Sequence, residues 1–132
     1  WVAGKMKRPR KNIWYPAHLH PDVTLGDSQT VPGFDDWQVF ETPGHTDRDL
    51  SIMHTPSKRI YVADLIVKVK NKLSPPFPVY IPELYKQSLL KLQELQPNSI
   101  MMAHVSELKL TYHDYADLLN KAPISPETNK VP

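Results

Sequence analysis

Apolar and polar residues follow one another along the first half of the chain in patterns that predict short strands. Large apolar and polar side chains alternate over residues 37–42, as in a strand with one buried face. Residues 50–54 and 59–63 are two further apolar runs. Because the turn-forming residues 55–58 separate them, these runs are expected to pair as an antiparallel hairpin.

Two weaker stretches flank these strands. Residues 23–25 and 29–31 are short apolar runs separated by Gly-Asp-Ser, and they predict a first hairpin. Residues 68–82 contain four prolines, which forbid a regular helix. We expect this second stretch to be a loop over the surface.

Helical periodicity appears only after that loop. From Pro82, which suits the first turn of a helix, Tyr85, Leu89 and Leu92 recur every three or four residues. The polar residues between them would face water. The sequence therefore predicts an amphipathic helix that ends before Pro97.

A buried strand over residues 99–103 and a second helix over residues 112–121 complete the pattern. The predicted fold class is α/β in the broad sense, more narrowly α+β, with a mostly antiparallel sheet and helices on one face. We expect residues 1–22 to be an irregular basic segment, residues 23–122 to form the folded domain, and residues 123–132 to be a frayed tail.

Composition narrows the class of protein. The 132 residues, 40 % hydrophobic and 23 % charged, are enough for one globular domain with its own core. The absence of cysteine excludes disulfides and thiolate metal sites. No apolar run approaches the roughly 18 residues of a membrane helix and no signal-peptide pattern is present, so we expect a cytoplasmic protein without membrane contact.

Three side chains follow apolar strands and carry chemistry. His45 comes after the turn that closes the run at residues 37–42, Asp64 lies inside the apolar run 60–67, and His104 follows residues 99–103. Each has an ordinary structural explanation when it is taken alone. Together, a carboxylate that is costly to bury and two imidazoles are the donors that zinc and related divalent ions prefer.

These residues carry a resemblance to a known family. Residues 42–46 (Thr-Pro-Gly-His-Thr), then Asp64, then His104 after a helix and a strand, resemble the third, fourth and fifth metal motifs of the metallo-β-lactamase superfamily. The resemblance covers about residues 20–120. It implies the C-terminal half of an αββα sandwich, similar to members of the hydroxyacylglutathione-hydrolase type.

The resemblance also implies a site and an activity. His45 would bind one metal ion, His104 a second, and Asp64 would bridge both and so act in catalysis. Members usually hold two zinc ions and sometimes iron or manganese. The implied reaction is hydrolysis of a small-molecule substrate, and we favour an ester or thioester.

One motif of that family is missing. The His-x-His-x-Asp-His ligand motif does not occur, although residues 18–22 imitate its start, with His18, His20 and Asp22. Val23 stands where the last histidine would be. We therefore expect a C-terminal half-domain, inactive by itself, whose partner is the N-terminal half of the same domain.

Alternatives stay open. Arg48, Ala63 and Val105 stand where the family prefers glycine, which favours a metal-free, non-catalytic scaffold. Five bases within the first eleven residues could contact nucleic acid, although a solvated terminus is the simpler interpretation. A half-sandwich would also expose an apolar sheet face, which predicts self-association.

Overall fold

A six-stranded mixed sheet with two helices forms the fold in the computed structural model, which describes residues 21–128. The strands of this sheet are β1 (Thr30–Val31), β2 (Phe34–Glu41), β3 (Leu50–His54), β4 (Arg59–Tyr61), β7 (Ser99–Met102) and β8 (Val105–Leu108). A separate hairpin consists of β5 (Val67–Val69) and β6 (Lys72–Ser74). The helices are α1 (Pro82–Leu95) and α2 (Tyr112–Lys121). The predicted α+β class is confirmed.

Strand direction decides which loops meet. The sheet order is β1-β2-β3-β4-β7-β8, and every neighbouring pair is antiparallel except β4 and β7. That parallel pair is possible because the hairpin β5–β6 and helix α1 make the crossover between them. Strands β2, β4 and β7 therefore run in the same direction, and their carboxyl ends share one edge of the sheet.

The core lies between one face of the sheet and the two helices. Ile60 and Ile100, which are adjacent on β4 and β7, are fully buried in one cluster with Tyr85, Leu89 and Leu92 of α1. Side chains one position away point to the other face, so Tyr61 is 38 % exposed. Among the described elements the helices thus cover one face, as predicted.

Both predicted helices are confirmed. Pro82 is in the first turn of α1, and Gln96 ends the helix in a left-handed conformation just before Pro97. Helix α2 has the predicted bounds. It begins at a capping box in which the Thr111 hydroxyl accepts from the Asp114 amide while the Asp114 carboxylate accepts from the Thr111 amide.

The expected hairpin between residues 23–25 and 29–31 is wrong. Residues 23–25 are not a strand, and Thr30–Val31 instead pairs with β2. The turn is made at Gly33, whose φ of +79° suits a residue without a Cβ. The turn at Gly33 therefore sets the pairing of β1 with β2. The prediction had placed the hairpin turn earlier, at the Gly-Asp-Ser run before residue 29.

The expected loop over residues 68–82 contains a hairpin. Lys70 and Asn71 both have positive φ, 49° and 63°, as the two central residues of a tight hairpin turn require. The prolines begin only after β6 ends at Ser74, so they left this pairing free. Strand β8 was also not predicted, because Ser106 and Glu107 interrupt its apolar pattern.

Only part of each predicted terminal segment lies within the described residues. The predicted irregular segment at residues 1–22 lies outside the described residues, apart from Pro21 and Asp22. In the predicted tail, the Glu127 amide donates to the Val79 carbonyl, and the Val79 amide donates to the Glu127 carboxylate, both at 2.9 Å. The tail therefore contacts the fold at Glu127. Within residues 21–128 no helix is long and apolar enough to cross a membrane.

Candidate metal centre

All three predicted donors lie at the shared edge of the sheet. His45 follows β2, Asp64 follows β4, and His104 follows β7. The amide of Ala103 donates to the carbonyl of Ala63 at 3.2 Å, so the residues directly before Asp64 and His104 are hydrogen-bonded neighbours. Strand β3 lies between β2 and β4, so the loop that carries His45 leaves the sheet two strands away from β4.

His45 is half-buried, and its ring is held by a backbone group. Its Nδ1 lies 2.6 Å from the carbonyl oxygen of Pro78. Because a carbonyl only accepts hydrogen bonds, Nδ1 must carry the hydrogen. In the neutral ring Nε2 then keeps its lone pair, which is the arrangement of a metal-binding histidine whose other nitrogen donates to a backbone carbonyl.

The loop that carries His45 (residues 42–49, the His45 loop) is held along helix α1. The Lys91 ammonium donates to the carbonyl of Glu41 at 3.0 Å, and the Ser88 hydroxyl donates to the carbonyl of Pro43 at 2.7 Å. The amide of Ile81 donates to the carbonyl of Gly44 at 3.0 Å. Three backbone carbonyls from the end of β2 into the loop thus have fixed partners on α1 or directly before it.

Gly44 lies directly against helix α1. Its φ is +146°, and a Cβ built on it would lie 2.5 Å from both Cα and Cβ of Tyr85. No side chain fits in that space. The glycine before His45 therefore allows the loop to lie on the first turn of α1.

The far side of the His45 loop closes on itself. The Asp49 carboxylate accepts from the amide and the hydroxyl of Thr46, both at 2.6 Å, and the Asp49 carbonyl accepts from the amide of Thr42 at 2.9 Å. Arg48, which stands where the family prefers glycine, points outward with its side chain 91 % exposed. This substitution does not crowd the loop.

Asp64 lies in a tight turn (residues 62–66, the Asp64 turn). The amide of Leu65 donates to the carbonyl of Val62 at 3.0 Å and closes the turn. Ala63, another position where the family prefers glycine, has a φ of +49°. The Asp64 side chain is half-buried, and within residues 21–128 its carboxylate has no hydrogen-bond or ion-pair partner. Its acceptor capacity is thus available for a cation.

His104 is exposed in the turn between β7 and β8. It lines an open groove of about 440 Å³, together with Lys68, Lys70, Asn71, Val105 and Ser106. The β5–β6 hairpin, most of which lies in the stretch predicted as a loop, thus contributes two lysines next to this donor.

The donor set fits a metal in part. The donor types, the shared edge and the tautomer of His45 suit a divalent ion. Within residues 21–128, however, no group of three or more His, Asp or Glu side chains is close enough to hold a metal. The structure therefore aligns His45, Asp64 and His104 on one edge without bringing them into a single ligand set. His18 and His20 lie outside the described residues.

Sequence reasoning missed the side chains that hold the His45 loop. Lys91 also donates to the Asp27 carboxylate at 2.6 Å, and this hydrogen bond lowers the pKa of Asp27. Asp27 in turn accepts from the amide of Glu41 at 2.8 Å. Ser88 and Lys91 are three residues apart on α1, so their common helix face was the available signal.

Known proteins share part of this fold. No protein-family model matches the chain. It is 27 % identical over 109 residues to the probable metallo-hydrolase YflN of Bacillus subtilis (strain 168), covering 73 % of this chain and 40 % of YflN. The solved structure of the metallo-β-lactamase family protein TTHA1429 from Thermus thermophilus is similar, with a TM-score of 0.63 and 16 % identity over 76 % of this chain and 35 % of that one.

A further solved structure, TTHA1623 in a di-iron-bound form, has a TM-score of 0.56 and 18 % identity over 71 % of this chain and 46 % of that one. The fold and the comparisons define a class, the proteins with a metallo-β-lactamase fold, and this chain has part of that fold. The resemblance predicted from the sequence is therefore confirmed. The chain spans 40 % of YflN and 35 % and 46 % of the two solved chains.

Proposed function

We propose that the chain is the C-terminal part of a metal-dependent hydrolase. In this proposal His45, Asp64 and His104 are ligands, and other residues complete the set. The observation that supports it most is the common direction of β2, β4 and β7, which brings three donors from distant parts of the sequence to one sheet edge. The name of the relative YflN and the iron in TTHA1623 support a metal-dependent reaction class.

In this proposal the metal ions carry the chemistry, and the chain holds and orients their ligands. When bound, divalent ions would activate a water molecule and stabilise negative charge on the substrate oxygen. The Pro78 carbonyl orients the His45 ring, and helix α1 holds the backbone that carries it. Zinc is the metal we favour, with iron or manganese as alternatives, and an ester or thioester is the proposed substrate class.

The partner in this proposal is a second half of the αββα sandwich. It would cover the sheet face opposite the helices, where Ile52, Tyr61 and Met101 are register neighbours across three strands. This half would also supply the ligands that the described donors lack. We propose a cytoplasmic location for the assembled protein.

The metal site is tested by titrating the purified chain with zinc and measuring the binding by calorimetry. We expect His45→Ala and Asp64→Asn each to weaken zinc binding about 10-fold or more, because losing a ligand costs at least as much as losing a group that orients one. The control is His113→Ala, which removes an exposed histidine at the start of α2.

The rival proposal is a metal-free scaffold, which Val105 in place of glycine favours. It predicts no saturable zinc binding, either by this chain or by a version that is extended upstream with its natural sequence. That result in both proteins would overturn the metal site. Equal affinity in wild type and His45→Ala would overturn the role of His45.

A further inference from the structure

We infer that Tyr85 is a positioning residue that ties the His45 loop to the Asp64 turn. The inference rests on the proposed function, since both donors belong to the proposed site. The Tyr85 hydroxyl bonds to the backbone at Leu65 and to neither donor side chain. Tyr85 acts on the two backbone segments that carry them.

Tyr85 contacts both segments from one position in the first turns of α1. Its hydroxyl donates to the carbonyl of Leu65 at 2.9 Å, directly after Asp64. Its Cα and Cβ lie where a side chain on Gly44 would be, directly before His45. The amide of Tyr85 donates to the carbonyl of Ile81, whose own amide donates to Gly44. One residue therefore fixes the distance between the two donor-bearing segments.

The hydroxyl of Tyr85 has a specific purpose in this position. The side chain is completely buried, and burial raises the pKa of its phenol, so the group is a neutral donor at all ordinary pH values. Phenylalanine would fill the same apolar space without the cost of burying a hydroxyl. What tyrosine adds is one hydrogen bond to the Asp64 turn, and that turn also contains the left-handed Ala63.

If Tyr85 ties the two segments together, removing its hydroxyl should loosen the Asp64 turn. If Tyr85 is replaced by phenylalanine, the Leu65 carbonyl loses its donor, while the packing against Gly44 stays. The Asp64 turn should then open more often than the rest of the sheet. The amides that report this are those of Leu65 and Ala103, because Leu65 donates to Val62 and Ala103 donates to Ala63.

The experiment compares Tyr85→Phe with Tyr115→Phe in the full 132-residue chain. Tyr115 is also buried on a helix, but it lines a groove at the opposite sheet edge, beside Lys58 and Asn98. Amide hydrogen exchange is measured by NMR, together with the imidazole nitrogen shifts of His45 and with zinc affinity. Loss of one buried hydrogen bond should speed exchange at the two reporter amides about 5-fold.

For Tyr85→Phe we expect faster exchange confined to the Asp64 turn and the Ala103 amide bonded to it, and zinc affinity reduced about 10-fold, as for other groups that orient ligands. The control variant should change neither. Unchanged exchange in Tyr85→Phe, or an equal rise over the whole sheet, would overturn the positioning role. If wild type binds no zinc, the proposed metal site fails in this chain, whereas the exchange result still decides the role of Tyr85.

Discussion

At the scale of single residues, backbone conformation next to the proposed donors explains the local sequence. Gly44 precedes His45 and must lie against helix α1, whereas Ala63 precedes Asp64 in a left-handed conformation. The first position excludes a side chain for lack of space. The second tolerates one at the cost of strain.

Replacing Gly44 by alanine should destabilise the fold. The new Cβ would meet the backbone of Tyr85 at 2.5–2.8 Å, and the φ of +146° adds strain, so we expect a loss of about 3 kcal/mol in the free energy of unfolding. Urea denaturation measures it. Gly33→Ala is the control, since a Cβ there meets nothing within 4 Å and carries only the strain of positive φ. Equal losses in the two variants would refute the steric argument.

Replacing Ala63 by glycine should have the opposite sign. Relief of the left-handed strain at φ +49° exceeds the added chain entropy of glycine, so we expect a gain of about 0.5–1 kcal/mol in unfolding free energy. The same substitution at Ala116, inside α2, should instead cost about 1 kcal/mol. Thermal denaturation of both variants checks the signs, and a loss at Ala63 would contradict the strain argument.

At the scale of secondary-structure elements, ionic contacts connect strands that are not sequence neighbours. Arg59 of β4 donates to both carboxylate oxygens of Glu107 of β8, at 2.7 and 2.8 Å, and Ser99 of β7 donates to the same carboxylate. The three residues cross the β4–β7–β8 part of the sheet. They therefore stabilise the edge strand that the sequence did not predict.

This contact should make stability depend on pH. Hydrogen bonds from Arg59, then from Ser99, lower the pKa of Glu107 from 4.5 to about 2 in the folded protein. Because the folded pKa is the lower one, the stabilisation is complete above pH 4.5 and is lost as the pH falls towards 2. The stability advantage of wild type over Glu107→Gln should therefore shrink in acid. Denaturant unfolding between pH 7 and about pH 2 measures this.

A matched control is Glu94→Gln, which changes an exposed glutamate of α1 that forms no ion pair among the described residues. Its stability relative to wild type should vary little over the same pH range. An advantage over Glu107→Gln that stays constant down to about pH 2 would show that the contact with Arg59 does not affect folding.

At the scale of the whole molecule, the sheet has one covered and one outer face. Val39, Ile52, Tyr61 and Met101 form a row of register neighbours across β2, β3, β4 and β7, on the side away from Ile60. Val39 is buried and Tyr61 is 38 % exposed, and none of the four belongs to the core cluster on the side of the helices. In the proposed assembly the other half of the sandwich would cover it.

The isolated chain should self-associate through this outer face. Tyr61→Lys places a charge in the centre of the row and should shift the chain towards monomer, because an ammonium is costly to desolvate. Sedimentation velocity over a range of concentrations measures the shift. Tyr112→Lys is the control, since Tyr112 is 80 % exposed at the start of α2. A wild-type chain that is monomeric at all concentrations and binds no apolar dye would contradict the prediction.

The sequence by itself determined both helices and the strands β2, β3, β4 and β7, because local periodicity and turn residues carry that information. It also singled out His45, Asp64 and His104 as candidate donors, through their residue types and their positions after apolar runs. It could not supply β8 or the β5–β6 hairpin, since polar side chains hide their pattern. Only the tertiary structure decided that β2, β4 and β7 end at one edge and that Tyr85, Ser88 and Lys91 hold the loops there. Strand direction and helix docking depend on contacts between residues far apart in the chain, and no local pattern encodes them.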